Sequence, residues 1–267
     1  MVATKFLLAV LLFCTIPAMN SSMRIGVYGL GRFGSFWARE LVKHGFTVVG
    51  YGRSAKQAPE GVVLGTEDEV LTCDVLFFCV SISAFAQVLQ NTASRIGPST
   101  LVMDTCSVKL YPAKKMRELL PSCVRTIATH PMFGPDSGKD GVAGLPMVLC
   151  PVNCPKKDFQ FWVDEFKNWK LQVIEMTCDQ HDREAAWSQG ITHFIGRTLS
   201  ELNLQDTKLA TTGYRTLMSI VEQTCNDPLQ LFYDLQRYNP YARQMRMGLK
   251  GSLDTVMQVL KEQEKIV

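Results

Sequence analysis

The hexapeptide Gly29-Leu30-Gly31-Arg32-Phe33-Gly34 fits the pattern G-x-G-x-x-G, between an apolar run, Arg24–Tyr28, and a helical stretch. In that setting the pattern can bind a dinucleotide. The first glycine makes the tight turn, the second lets the backbone approach a pyrophosphate, and the third lets helix and strand pack closely. The helix N-terminus then faces the anion. Gly29, Gly31, Arg32, Phe33 and Gly34 are the expected cofactor contacts. About 20 residues further on, an NAD-binding chain usually offers Asp or Glu to the ribose 2′-hydroxyl. Here the stretch is Gly50-Tyr51-Gly52-Arg53-Ser54, with Gly52 in the acidic position. Arg53 and Ser54 can meet a 2′-phosphate by charge and hydrogen bond, and no carboxylate repels it. NADP is therefore expected ahead of NAD.

Two polar clusters follow later apolar runs: Asp104-Thr105-Cys106-Ser107-Val108-Lys109 and the stretch from Thr129-His130-Pro131 to Lys139-Asp140. In a parallel sheet the ligand sits beyond the carboxyl ends of the strands, where both clusters fall. A third, Ser188-Gln189-Gly190-Ile191-Thr192-His193, falls on a helix. Gln189 lies one turn before His193, so a regular helix puts both on one face. A neutral imidazole is a suitable proton acceptor near neutral pH. Lys109 offers a cation. Asp136 and Asp140 offer anions in a loop that Gly138 and Gly141 allow to fold over a ligand.

The elements that must position these residues alternate. Arg24–Tyr28, Thr47–Tyr51, Val75–Val80, Leu101–Asp104, Thr126–Thr129, Met147–Cys150 and Gln172–Met176 read as strands, with helices between the earlier ones. Such alternation specifies an α/β fold, a Rossmann-type, mostly parallel sheet. After Thr177 the strand-like runs stop. Asp179 is the expected cap of a helix beginning near His181, and the remainder reads as helices broken at Gly213, Pro228 and Pro240. The expected organisation is a nucleotide-binding domain over 23–178 and an all-helical domain over 179–267.

Of 267 residues, 28 are Lys or Arg and 25 Asp or Glu, so the net charge is +3. With 46% hydrophobic residues, this balance excludes wholesale disorder, collagen and coiled coil. No basic run marks a nucleic-acid partner. The nine cysteines sit mostly in apolar runs and read as buried thiols, and no cluster has metal spacing. Residues 1–22 combine Lys5, an apolar run Phe6–Ile16 and Pro17 in a signal-like layout. That run is shorter than the roughly 20 residues of a membrane span. Met23-Arg24-Ile25 reads equally as a natural start, and the segment before it as a dispensable extension. The rest suggests a cytoplasmic protein with a small-molecule substrate.

Asp104-x-x-Ser107-Val108-Lys109 and His130-Pro131-Met132-Phe133-Gly134-Pro135, in this order after a Gly-rich turn, resemble the prephenate/arogenate dehydrogenase family of tyrosine biosynthesis. Ser137-Gly138-Lys139 and Tyr238-Asn239-Pro240 resemble its plant-type arogenate branch. The resemblance implies oxidative decarboxylation of arogenate or prephenate with NADP. It implies that His130 takes the hydroxyl proton, that Ser107 hydrogen-bonds the same hydroxyl or fixes the His130 tautomer, and that His193 lies near substrate or nicotinamide. Arg215 is implied to bind the ring carboxylate, with Lys109 as alternative or supplementary cation and Gln189 facing the cleft. An acidic group, Asp140 ahead of Asp136, would favour the ammonium of arogenate. The family also implies a homodimer through the helical domain, which is rich in apolar residues. One departure stands out: Arg215 follows Tyr214 where the plant type commonly has an acidic residue. Other readings are a different NADP-dependent two-domain hydroxyacid or imine reductase, and a catalytically silent NADP-binding protein.

Overall fold

A computed structural model describes residues 23–264, so the signal-like segment lies outside the described residues. The sheet has eight strands in the order β3-β2-β1-β4-β5-β6-β7-β8. These are β1 (Arg24–Tyr28), β2 (Thr47–Tyr51), β3 (Val63–Leu64), β4 (Val75–Phe78), β5 (Leu101–Asp104), β6 (Arg125–Pro131), β7 (Pro146–Asn153) and β8 (Gln172–Glu175). All neighbours run parallel except β6 and β7, which pair antiparallel. The short edge strand β3 was not anticipated.

Between the strands run α1 (Arg32–Lys43), α2 (Glu67–Leu71), α3 (Ile82–Thr92), α4 (Leu110–Leu119) and α5 (Lys156–Asn168). They cover both faces, so the central strands are apolar throughout: β4 is fully buried. Alternation splits its two phenylalanines between separate cores. Phe77 meets Trp37 and Trp162 on one face. Phe78 joins Tyr28 and Phe85 on the other.

From Cys178 onward only helices follow: α6 (Cys178–Ala185), α7 (Ile191–Ser200), α8 (Thr212–Asn226), α9 (Leu229–Tyr238) and α10 (Ala242–Glu264). The cap of α6 is Thr177, not Asp179: its hydroxyl accepts from Gln180 N–H while the Gln180 side chain accepts from Thr177 N–H. This reciprocal pair satisfies two otherwise orphaned donors, and Asp179 falls in the first turn. Between α6 and α7, Ala186–Gly190 form one π-helical turn. Gly213 lies inside α8 and does not break it, whereas Pro228 caps α9 and Pro240 follows its end.

The helical part is tied to the sheet by specific polar contacts. Asp234 on α9 accepts from the Ser83 amide and hydroxyl at 3.0 Å each, which satisfies an N-terminal donor of α3. Asn239, in the Tyr-Asn-Pro motif, is buried and donates to the Asp182 carbonyl at 2.7 Å. No described helix is long and apolar enough to cross a membrane. The eight described cysteines are free thiols.

Candidate active site

The Gly-rich turn is built as a cofactor cradle. Gly29 has φ of +109°, a conformation side chains rarely adopt. A Cβ on Gly34 would stand 1.8 Å from the Gly29 carbonyl oxygen, so only glycine lets α1 start this close to β1. A Cβ on Gly31 would meet nothing within 4 Å: the turn opens onto free space there. Gly31 is also the cap of α1, with no side chain satisfying the first amides and no acidic residue in the first turn. Free donors, a positive helix end and an open approach fit a pyrophosphate. Phe33 does not face that space freely; it packs on Trp37 with ring centroids 6.2 Å apart. After β2 the chain turns at Gly52–Ala55, with Ala55 N–H donating to the Gly52 carbonyl at 3.0 Å. Arg53 and Ser54 are exposed on that turn, and no ion pair engages Arg53 among the described residues.

His130 is the penultimate residue of β6, at the carboxyl end of the parallel set, and is buried. Its Nδ1 lies 2.8 Å from Nε2 of His181, and His181 Nδ1 lies 2.8 Å from the Asp182 carboxylate. His130 Nε2 has no hydrogen-bond partner among the described residues. Burial, then His181 and Lys109, push the His130 pKa well below the ordinary range, which keeps the ring neutral with one nitrogen unprotonated. Ser107 follows β5 and is half-buried, with no side-chain hydrogen bond among the described residues. The partner that orients His130 is therefore His181 and not Ser107. Neither His181 nor Asp182 was singled out in the sequence, where an adjacent His-Asp pair opening a helix was the available signal.

Lys109 turns away from a ligand role. Its ammonium is fully buried, paired with the Asp104 carboxylate and donating to the Thr129 carbonyl. Asp104 also accepts from the amides of Cys106 at 3.0 Å and Thr129 at 3.3 Å. Burial opposes the Lys109 charge, yet the carboxylate holds its pKa above the ordinary value. Lys109 thus clamps β5 to β6 beneath the site instead of offering its charge to a substrate carboxylate.

A second polar group gathers beside the cofactor turn. Arg32 pairs with Asp136 at 2.5 Å, from the loop after β6, and with Asp227 at 3.4 Å, from the loop between α8 and α9. Asp227 in turn lies 3.8 Å from His193 Nε2. Thus Arg32, Asp136 and His193 are brought together, with Asp227 as an unforeseen link. Burial lowers the His193 pKa and raises that of Asp227. His193 Nδ1 and Gln189 Oε1 are buried polar atoms without a hydrogen-bond partner among the described residues. The π-helical turn shifts the i,i+4 register assumed between Gln189 and His193. Asp140 is exposed and has no side-chain partner among the described residues, so it does not join this group. Arg215 is exposed on α8, and its guanidinium makes no hydrogen bond or ion pair among the described residues. No cluster of metal-ligating side chains occurs among the described residues.

Residues 37–175 match the model of the prephenate dehydrogenase nucleotide-binding domain, and residues 198–267 that of the TYRAAT1-like C-terminal domain. Arogenate dehydrogenase 2, chloroplastic, of Arabidopsis thaliana is 33% identical over 90% of this chain and 71% of its own length. The chain belongs to the prephenate dehydrogenase family. Arogenate dehydrogenase 1 of the same plant is 37% identical over 84% of this chain, but the match spans only 37% of that longer protein. The fold of this family member is shared with the crystal structure of Synechocystis arogenate dehydrogenase (TM-score 0.69, 20% identity, covering 91% of this chain and 93% of that one). It is also shared with prephenate dehydrogenase from A. aeolicus in complex with hydroxyphenyl propionate and NAD+ (TM-score 0.72, 16% identity, covering 92% and 93%).

Proposed function

We propose that this dehydrogenase carries out the oxidative decarboxylation of arogenate, and less readily of prephenate, with NADP. The observation that carries the reading is His130: a buried neutral imidazole at the carboxyl end of β6, anchored through Nδ1 and free at Nε2. The ring substrate bears a hydroxyl that must lose its proton as hydride leaves the same carbon. The bound nicotinamide supplies the hydride acceptor. His130 Nε2 accepts the hydroxyl proton; the ring carboxylate departs as carbon dioxide, its bonding electrons complete an aromatic ring, and the oxygen regains a proton. Gly29, Gly31 and Gly34 with the α1 amides would hold the pyrophosphate. Ser107 would bond the substrate hydroxyl, and His193 and Gln189 would direct their unpartnered atoms at the substrate.

Arogenate is favoured over prephenate because Asp227, with its side chain 29% exposed beside His193, offers an anion to an ammonium and not to a ketone. The relatives named arogenate dehydrogenase point the same way. The test is NADPH or NADH formation with arogenate and with prephenate, each with NADP and with NAD. Arogenate with NADP is expected to be fastest. Absence of turnover in all four pairings, with NADP still bound, would leave a silent nucleotide-binding protein or another reductase.

NADP is preferred because Gly52 leaves no carboxylate at the position an NAD enzyme uses, and Arg53 and Ser54 follow it on the exposed turn. Arg53→Ala is expected to weaken NADP binding by roughly tenfold, about the value of one charge-assisted hydrogen bond, and to leave NAD within a factor of two. Titration of both nucleotides checks this; equal losses would remove Arg53 from the 2′-phosphate site.

The enzyme works as a homodimer in this reading, in the cytoplasm. Leu253, Val256, Met257 and Leu260 form a stripe along the exposed end of α10, each more than half exposed. A second copy would cover it, and in the dimer Arg215 on the exposed face of α8 would serve the ring carboxylate. Leu253→Glu with Met257→Glu is expected to convert a sedimenting dimer to monomer; an unchanged sedimentation coefficient would rule α10 out of the interface.

A further inference from the structure

The two residues linked to His130 take no part in the reaction of the base with the substrate hydroxyl, yet they are buried and fully engaged. Asp182 is inaccessible to solvent. Its Oδ1 accepts from the Lys109 amide at 2.6 Å and from His181 Nδ1 at 2.8 Å, and its Oδ2 accepts from the Leu110 amide at 2.9 Å. Both oxygens are thus acceptors, which requires His181 to carry its proton on Nδ1. His181 Nε2 is then a lone pair, so at 2.8 Å the His130 Nδ1 must be the donor. One consequence follows for the far side of His130: its Nε2 is unprotonated. A ring free to choose would spend part of its time in the other tautomer, with N–H aimed at the substrate hydroxyl and no base present. Asp182, two hydrogen bonds away through His181, removes that choice.

We infer that His181 and Asp182 are positioning residues for the base: they fix the reactive tautomer of His130 and hold the proton it accepts until the product oxygen takes it back. This rests on the dehydrogenase reading above. The proton moves from the substrate hydroxyl to His130 Nε2 while the His130 Nδ1 proton passes to His181 Nε2. The positive charge settles on His181, beside Asp182. When the carbon–carbon bond to the carboxylate breaks, the electrons left in the ring make the oxygen strongly basic, and both protons return. Hydride goes to the nicotinamide, carbon dioxide leaves, and the relay ends as it began.

The surroundings favour that direction. The charged groups facing the two rings are Lys109 and Asp104, from the start of α4 and the end of β5, and Asp182 on α6. Lys109 acts against a cation on either ring. Asp182 and Asp104 act for one on His181, whereas no anion acts in favour of one on His130. A proton held on His181 is therefore better accommodated than one held on His130. The ring centroids lie 5.0 Å apart at an interplanar angle of 69°, an edge-on approach that suits a nitrogen-to-nitrogen hydrogen bond.

Nitrogen-15 spectra of the histidine rings in the full-length protein test the tautomer without any turnover. Both His130 and His181 are expected as Nδ1–H forms; an Nε2–H form of His130 would overturn the proposal. Kinetics test the relay. Asp182→Asn is expected to lower kcat about 100-fold, with KM and NADP affinity within threefold. It should also move the acidic limb of kcat against pH downward by about one unit, since the carboxylate that attracts the proton is gone. A loss of thermal stability with that limb unmoved would make Asp182 structural only. If Asp182→Asn does not fold, His181→Gln decides: glutamine can accept from His130 and donate to Asp182 but cannot hold a proton. A kcat within threefold of wild type for His181→Gln would sink the relay, and a loss above 30-fold at unchanged KM supports it. His130→Gln run alongside separates the failures: full activity there would refute the base assignment itself.

Discussion

His130→Gln is expected to lower kcat by roughly 10³, the middle of the range for a positioned general base, with NADP affinity unchanged. The residue lies on β6, whereas the cradle is made by the turn between β1 and α1, so the two functions separate by element. Glutamine keeps a similar volume and hydrogen-bonding capacity at a buried position, so a fall in kcat would report chemistry and not collapse of the fold. Stopped-flow NADPH formation under saturating substrate, beside a nucleotide titration, checks both halves. A kcat within tenfold of wild type would show that the proton goes elsewhere. The same burial has a stability signature. All four histidines, His44, His130, His181 and His193, are pushed below their ordinary pKa, by desolvation in each case. The unfolded chain takes up protons near pH 6.5 that the native rings refuse, so stability is present above that pH and falls as pH drops below it. Urea midpoints at pH 7.5 and 5.5 should differ in that sense.

Asp104→Asn is expected to cost about 3–5 kcal/mol, the largest stability effect of a single substitution here. The Lys109 ammonium would lose the carboxylate that compensates it in a site with no solvent access on either side of the pair. Asparagine can still accept from Lys109, but a neutral oxygen cannot balance a buried charge. Urea unfolding measures the loss as a lower midpoint at constant slope. A companion experiment discriminates charge from packing: Asp104→Leu with Lys109→Met removes both charges and should recover much of the loss. If the double substitution is as damaging as the single one, the hydrogen bonds to Cys106 and Thr129 and not the ion pair are what matter. Lys109 also donates its amide to Asp182, so the double variant tests whether the backbone of the β5–α4 connection holds without its side chain.

The parts of this molecule that were readable in its sequence are those fixed by local chemistry. The Gly-rich turn is decided within a few residues by φ and by steric approach, and its strand and helix followed as expected. The alternation of elements and the late all-helical region were also legible, since burial on both faces writes continuous apolar runs. Strand direction was not: Pro146–Asn153 reads as a buried strand either way, and only its pairing with β6 makes it antiparallel. In the site, His130 and His193 were legible, but their partners were not. Lys109 looked available because a lysine in a polar loop usually is; Asp104, five residues earlier, claims it only once β5 ends in the buried core. Asp227 reaches Arg32 across 195 residues of chain, a distance over which no spacing rule operates. His181 and Asp182 were hidden for the same reason, because their role appears only when α6 is laid against β6.

The contact between His130 and His181 joins an imidazole contributed by the sheet to one contributed by the first helix beyond it. The proposed reacting centre is therefore owned by neither half of the chain. Such a constellation constrains how the gene can be rearranged. A nucleotide-binding half exchanged for that of another oxidoreductase would bring its own cradle and lose nothing in cofactor capture, yet the incoming sixth strand would face a histidine with nothing to meet. On the proposed mechanism, an exchange that keeps the activity has to carry β6 and α6 together.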